Sequence, residues 1–349
     1  MMLSSTYLPA QESPRQPDRS LDGRARNEVI DGVLAQLNQT YVFPDKATEM
    51  ERGIRDRVRK REYDRITSAA ELADSLTSHL QAISRDKHLR VRYSNEVLPV
   101  IRQGDEPPPE VRERQRAQMR ITNFGFEKVE RLPGNVGYLE LRGFSGAEEA
   151  QQTASAAMNF LANTDALIID LRRNGGGSPE MVRFLSSYLF GSKPVHLNSL
   201  YSRPRNRTEE FWTRPDVPGK RFGETKPVYV LTSNRTFSGA EEFSYNLQNL
   251  KRATIVGETT GGGAHPGGPR RVNDHFEVWV PTGRAINPIT KTNWEGTGVR
   301  PDVPVAASQA LQTARVAALR SILERVTDPQ RRNQLQQLVR DLETGTPQP

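Results

Sequence analysis

At 349 residues, with 35% hydrophobic and 26% charged side chains, the chain can bury a core for one large domain or two ordinary ones. Its 49 basic and 42 acidic residues leave a net charge of +7, but clusters such as Arg55–Arg61 and Arg112–Arg120 are interleaved with acids and read as solvated helix faces, so no nucleic-acid partner is expected. The absence of cysteine excludes disulfides, thiol catalysis and thiolate metal sites, and no run approaches the roughly 20 apolar residues of a membrane-spanning helix, so no membrane insertion is expected.

Residues 1–24 are polar and proline-bearing, hold no apolar run that could form a signal-peptide core, and are expected to be disordered. A helical domain over 25–95 follows. Val29, Ile30, Val33, Leu34 and Leu37 recur at helical spacing, and Met50, Ile54 and Val58 mark a second helix after Pro44-Asp45. The third opens on a capping box, Ser68-x-x-Glu71, and carries Leu72, Leu76, Leu80 and Ile83 on one face, with a strand-like Leu89–Tyr93 after Asp86-Lys87-His88. Residues 96–120 read as a linker or surface excursion, because the prolines at 107–109 remove donors and fix φ; the charged run after them is expected as a short exposed helix.

An α/β core is expected over 121–305. Gly137–Leu141, Ala166–Leu171, Val228–Leu231 and Ala253–Val256 are apolar strands, and helices are expected at 147–162, 179–189 and 238–250. Two more amphipathic helices, 309–323 and 329–342, and a disordered tail complete a carboxyl-terminal region over 306–349.

Ligands of open α/β sheets gather at the carboxyl ends of strands. One such end is Arg172–Gly177, with three glycines; the other is the turn into a helix at Ser238, where free N–H groups and the dipole favour a developing oxyanion. Ser238-Gly239-Ala240-Glu241 is also a capping-box pattern, so on spacing alone the serine reads first as a helix cap. Glu241 and Glu242 read as helix-start charges, His79 as packing, and His196 and His275 as surface residues. No HExxH or comparable pair occurs, and no metal site or cofactor is expected.

The segments VYVLTSNRTFSGAEEF and ATIVGETTGGGAHP, the upstream LIIDLRRNGGG, the closing WEGTGVRPDVPV and the helical stretch before DKHLRVRY together resemble the tail-specific or C-terminal-processing serine proteases. That family includes the tricorn core protease and the interphotoreceptor retinoid-binding proteins. The resemblance implies a mixed-sheet protease core of the ClpP/crotonase-like type with an amino-terminal helical unit, and hydrolysis of peptides or unfolded proteins. Carried over by position, Ser238 is the nucleophile, and the amides of Gly239 and of Gly175 or Gly176 form the oxyanion hole. The lysine used by one branch would fall at Gly263, so that mechanism does not carry over. The tricorn-like branch implies His88 as general base and Glu295 as its supporting acid, although Lys87 stands where that branch has a serine. His265 is expected to contact substrate, with a role as the base left open. About 50 residues separate His88 from Tyr138, too few for a PDZ domain of about 80 to 100. Three readings follow: a serine peptidase, a non-catalytic protein binding a hydrophobic ligand or peptide on the same fold, and a hydrolase of small esters or amides. Oligomeric state and localisation stay open, though the resemblance implies that relatives are often exported.

Overall fold

Strands whose successive side chains all point into apolar surroundings must be covered on both faces, and that requirement organises most of this chain. In the computed structural model, residues 17–100, 108–146 and 148–345 are described. The elements begin with α1 (Gly23–Thr40), α2 (Pro44–Arg59), α3 (Ala69–Ser84), β1 (Arg90–Tyr93) and α4 (Pro109–Ile121). They continue with β2 (Phe126–Leu132), β3 (Val136–Leu141), α5 (Glu148–Leu161), β4 (Ala166–Asp170), α6 (Pro179–Ser187), β5 (His196–Ser202) and β6 (Arg207–Trp212). Then come β7 (Val228–Thr232), α7 (Gly239–Asn249), β8 (Thr254–Gly257), β9 (Gly267–Arg271), β10 (Phe276–Pro281) and β11 (Gly283–Ile286). The chain closes with β12 (Val303–Pro304), α8 (Ala310–Leu323) and α9 (Pro329–Thr344).

The chain divides into two compact units. One comprises residues 17–85, 89–100 and 268–280. Here Val29, Val33 and Leu37 of α1, Met50 and Ile54 of α2, and Leu72, Leu76 and Leu80 of α3 are buried. Both amino-terminal caps are made: Asp22 accepts from the Ala25 amide at 2.8 Å and Ser68 from the Glu71 amide at 2.9 Å. Each such cap contributes about 1 kcal/mol. A distant segment returns to this unit, because β1 pairs antiparallel with β10, from Arg90 opposite Trp279 to Tyr93 opposite Phe276, and β9 flanks β10.

The other unit comprises residues 86–88, 108–267 and 281–345. Its six-stranded sheet runs β12-β8-β7-β4-β3-β2, parallel throughout except for the antiparallel β2–β3 edge. Leu167, Ile169, Val228, Val230 and Ile255 face α5, α6 and α7. The alternate residues Ala166, Ile168, Tyr229, Leu231 and Val256 face α8 and α9, where Ala310, Ala314 and Ala318 form a smooth stripe. Full burial of each large aliphatic side chain contributes roughly 1.5–3 kcal/mol. The α/β reading with a mixed sheet therefore holds. A second sheet, β11-β5-β6, is antiparallel. The charged run after the prolines is helical, as α4, with no buried residue; the expectations for the first 16 residues, for 101–107 and for the last four lie outside the described residues.

Candidate active site

Two loops at the carboxyl ends of β4 and β7 are sewn together by short polar bonds. Thr236 donates its hydroxyl to the Leu171 carbonyl at 2.8 Å, Ser233 donates its own to the Arg172 carbonyl at 2.6 Å, and the Phe237 amide donates to the Asn174 carbonyl at 3.0 Å. The seam holds Ser238, the residue capping α7, at φ 54° and ψ −120°, a conformation that L-residues rarely adopt. Such a residue costs on the order of 1–3 kcal/mol and persists only where its surroundings over-determine it. A glycine turn supplies part of that constraint: at Gly176, with φ 104°, an added Cβ would stand 2.7 Å from both the Ser238 Cβ and the Gly239 nitrogen. Only glycine lets the turn lie against the serine.

The Gly176 amide donates to the Asn174 side chain at 2.8 Å. Gly239 occupies the first position of α7, and the space beside Gly175 is open, with nothing within 4 Å of a would-be Cβ.

Beneath the serine lies Glu241. Its carboxylate accepts from the Ser238 amide (2.8 Å), the Gly262 and Gly263 amides (2.6 and 2.8 Å) and the Thr260 hydroxyl (2.5 Å). Glu241 is the third residue of α7, as its helix-start reading has it, and it is also fully buried and ties the serine to the 260–263 loop. Burial raises its carboxyl above the usual range, and the four donors oppose that shift. Glu242 is buried as well, its carboxyl pushed up to about 7 by burial.

His88 packs on Phe237, ring centroids 4.6 Å apart, and its Cε1 lies 2.7 Å from where a Cβ on Gly263 would stand. That Cβ would also come within 2.3 Å of the Phe237 ring. The space beside Gly263 is filled by the histidine and the phenylalanine. Neither ring nitrogen of His88 has a hydrogen-bond partner among the described residues, and burial lowers its pKa to about 4 against the opposing pull of Asp86.

Asp86 accepts the His88 amide at 3.0 Å on one oxygen and His265 Nδ1 at 2.8 Å on the other. His265 is buried and held between Asp86 and Glu295. Glu295 lies 3.5 Å from His265 Nδ1 and accepts the Ala264 amide at 2.5 Å, while its Oε1 is buried without a partner among the described residues. Burial first, then the Asp86 charge, pushes the Glu295 carboxyl up to about 7. Its link to His88 therefore runs through His265 and Asp86. The ligand atoms of Asp86, His265 and Glu295 lie within 4.8 Å of one another, the set among the described residues that could hold a metal ion, although Asp86 and His265 already satisfy each other.

Two profiles of one family match, the N-terminal domain of Peptidase_S41 in eukaryotic IRBP over residues 23–126 and Peptidase family S41 over 135–305. The chain belongs to peptidase family S41. Among curated S41 relatives it is similar to carboxyl-terminal-processing peptidase 1, chloroplastic, of Arabidopsis thaliana, 27% identical over 183 residues, which is 52% of this chain and 35% of that protein. The match thus spans about a third of the relative's length. The fold is shared with a lipoprotein from Streptococcus agalactiae (TM-score 0.55, 15% identical, covering 89% of this chain and 99% of that one). It is also shared with the tricorn protease (TM-score 0.52, 15% identical, covering 91% of this chain and 37% of that one).

Proposed function

We propose that this S41 chain is a serine-type peptidase, cleaving peptides or unfolded proteins through an acyl-enzyme on Ser238. The observation that carries the reading is the strained Ser238 pressed against the Gly176 turn, with the His88 ring, free of hydrogen bonds, packed at a tilt on the adjacent Phe237. With its pKa near 4, His88 is neutral at ordinary pH and can accept a proton. It takes the Ser238 hydroxyl proton as Oγ bonds to the scissile carbonyl carbon. The negative charge that develops on the carbonyl oxygen is met by the Gly239 amide at the α7 amino terminus and by the amide of Gly175. The C–N bond then breaks, and His88 returns the proton to the departing amine. Water, deprotonated in the same way, releases the acyl group.

Asp86, 3.9 Å from His88 Nδ1, favours the imidazolium that forms transiently. Glu295 supports this arrangement through His265 and Asp86, the path its contacts suggest. Purified wild type should hydrolyse casein, and Ser238→Ala should lose at least about 1,000-fold of that activity while keeping its circular dichroism spectrum. Equal hydrolysis by both would reduce Ser238 to a helix cap.

A further inference from the structure

Three side chains far apart in sequence converge on His265. The ligand atoms of Asp86, His265 and Glu295 lie within 4.8 Å of one another, with His265 Nδ1 at 2.8 Å from Asp86 Oδ2 and 3.5 Å from Glu295 Oε2. A tetrahedral ion with bonds of about 2.1 Å keeps its ligand atoms about 3.4 Å apart, and the observed separations bracket that value. No short motif announces the set, because its members meet only in the fold.

Two further observations point to a ligand. Glu295 Oε1 is buried without a hydrogen-bond partner among the described residues, although Oε2 is fixed by the Ala264 amide at 2.5 Å. The His88 side chain is only 10% exposed, both its ring nitrogens are buried without hydrogen bonds, and Nδ1 stands 3.9 Å from Asp86 Oδ1. Buried polar atoms left unsatisfied are costly, and a cation that takes lone pairs from a carboxylate oxygen and a neutral imidazole relieves both. The supporting shell is already made. The His88 amide donates to Asp86 at 3.0 Å and the Ala264 amide to Glu295, so both carboxylates are oriented before an ion arrives. The Glu295 side chain, 18% exposed, gives the ion a way in. Two carboxylates balance a divalent charge. Two imidazoles beside them favour zinc over magnesium or calcium, which prefer oxygen ligands throughout.

We infer that Asp86, His265 and Glu295, with His88 as the fourth ligand, form an inhibitory site for Zn²⁺ that switches the peptidase off. On binding, the ion displaces the proton on His265 Nδ1 to solvent. It also takes the His88 lone pair that would otherwise accept the Ser238 proton. Metal-free protein is the active form, and a chelator restores it. The site stands on its own geometry; only the inhibition rests on the peptidase reading.

The chain has no cysteine and five histidines, so bound metal is easily traced to its ligands. Full-length Ser238→Ala, stripped with EDTA and desalted, would be titrated with ZnCl2 by calorimetry. CoCl2 would be followed by visible absorption, which reports tetrahedral coordination. The expected result is one ion per chain with a Kd at or below about 10 µM. Adding Glu295→Gln, which keeps the side chain's size, or His265→Ala should weaken binding at least about tenfold with the circular dichroism spectrum unchanged. Adding His196→Ala, on β5, should leave binding as it was. In wild type, saturating Zn²⁺ should cut casein hydrolysis at least about tenfold, and EDTA should restore it. No binding in this range, or binding that survives Glu295→Gln and His265→Ala together, would overturn the site. Zinc bound there with hydrolysis undiminished would overturn the inhibition. Because binding is read in a variant that turns nothing over, a wild type that leaves casein intact sinks the peptidase reading and the switch with it, while the titration still decides the site.

Discussion

The buried Glu241 and the partly buried Glu295 both grip the 260–264 loop, yet their surroundings treat them oppositely. Glu241 accepts four hydrogen bonds and joins the strained serine to its neighbours. Glu295 uses one oxygen on the Ala264 amide and near His265, while the other is buried with no partner among the described residues, and the His88 ring is left equally unsatisfied. A saturated network is rigid, whereas a half-satisfied one in low dielectric responds strongly to a proton or a substrate. The proposed nucleophile is held by the first kind of site, and the groups proposed to handle protons occupy the second.

The largest expected effect comes from emptying the saturated side. Glu241→Ala leaves buried amides and a hydroxyl without their acceptor, and each buried donor left unsatisfied costs about 1–3 kcal/mol. Thermal unfolding should shift down by on the order of 10 °C, and peptidase activity should be lost with it. A change below roughly 2 °C would mean the four bonds contribute little net. Gly176→Ala probes the same region more locally. Its Cβ must push on the Ser238 Cβ and the Gly239 nitrogen. We expect kcat/KM to fall by about 100-fold, the scale for an active-site displacement near 1 Å, with a smaller loss of stability. Unchanged kcat/KM would show that the turn and the serine need not touch.

The smallest effect lies on the half-satisfied side and is a matter of pH. An unfolded chain protonates His88 near 6.5 and the native chain only near 4, so this residue removes stability as pH falls from 6.5 to 4 and contributes nothing above that window. Glu295 works in the other direction. Native protein keeps its proton up to about 7 and the unfolded chain loses it near 4.5, so stability declines as pH rises between those values. Glu295→Gln should therefore flatten the decline between pH 4.5 and 7 in melting experiments and leave the acid-side loss in place. An unchanged curve would mean that the Glu295 carboxyl titrates in its ordinary range.

The same contrast separates what could be read in the sequence from what could not. Apolar runs such as ALIID and VYVLT announce buried strands on their own, and Ser68-x-x-Glu71 is visible as a cap because its partners are three residues apart. The turn at Ser238 is local too, and its motif resembles a family in which that serine has a role. Long-range contacts leave no such trace. Asp86 and His265 meet across 179 residues, and nothing near either position signals the pairing. Glu241 looks like an ordinary third-position helix acid; only the fold brings the Gly262 and Gly263 amides to it. Strand β6 was illegible because all but one of its side chains are exposed, and its ladder with β5 is a matter of backbone rather than of apolar pattern.

Labelling with an active-site fluorophosphonate, followed by peptide mapping across a pH series, tests the central claim most directly. The account predicts one adduct, on Ser238, whose rate of formation holds down to about pH 4 and falls below it as His88 takes up a proton. His88→Ala should slow labelling at every pH, and Ser238→Ala should abolish it. An adduct on another residue, or labelling of Ser238 that His88→Ala leaves untouched, would contradict it.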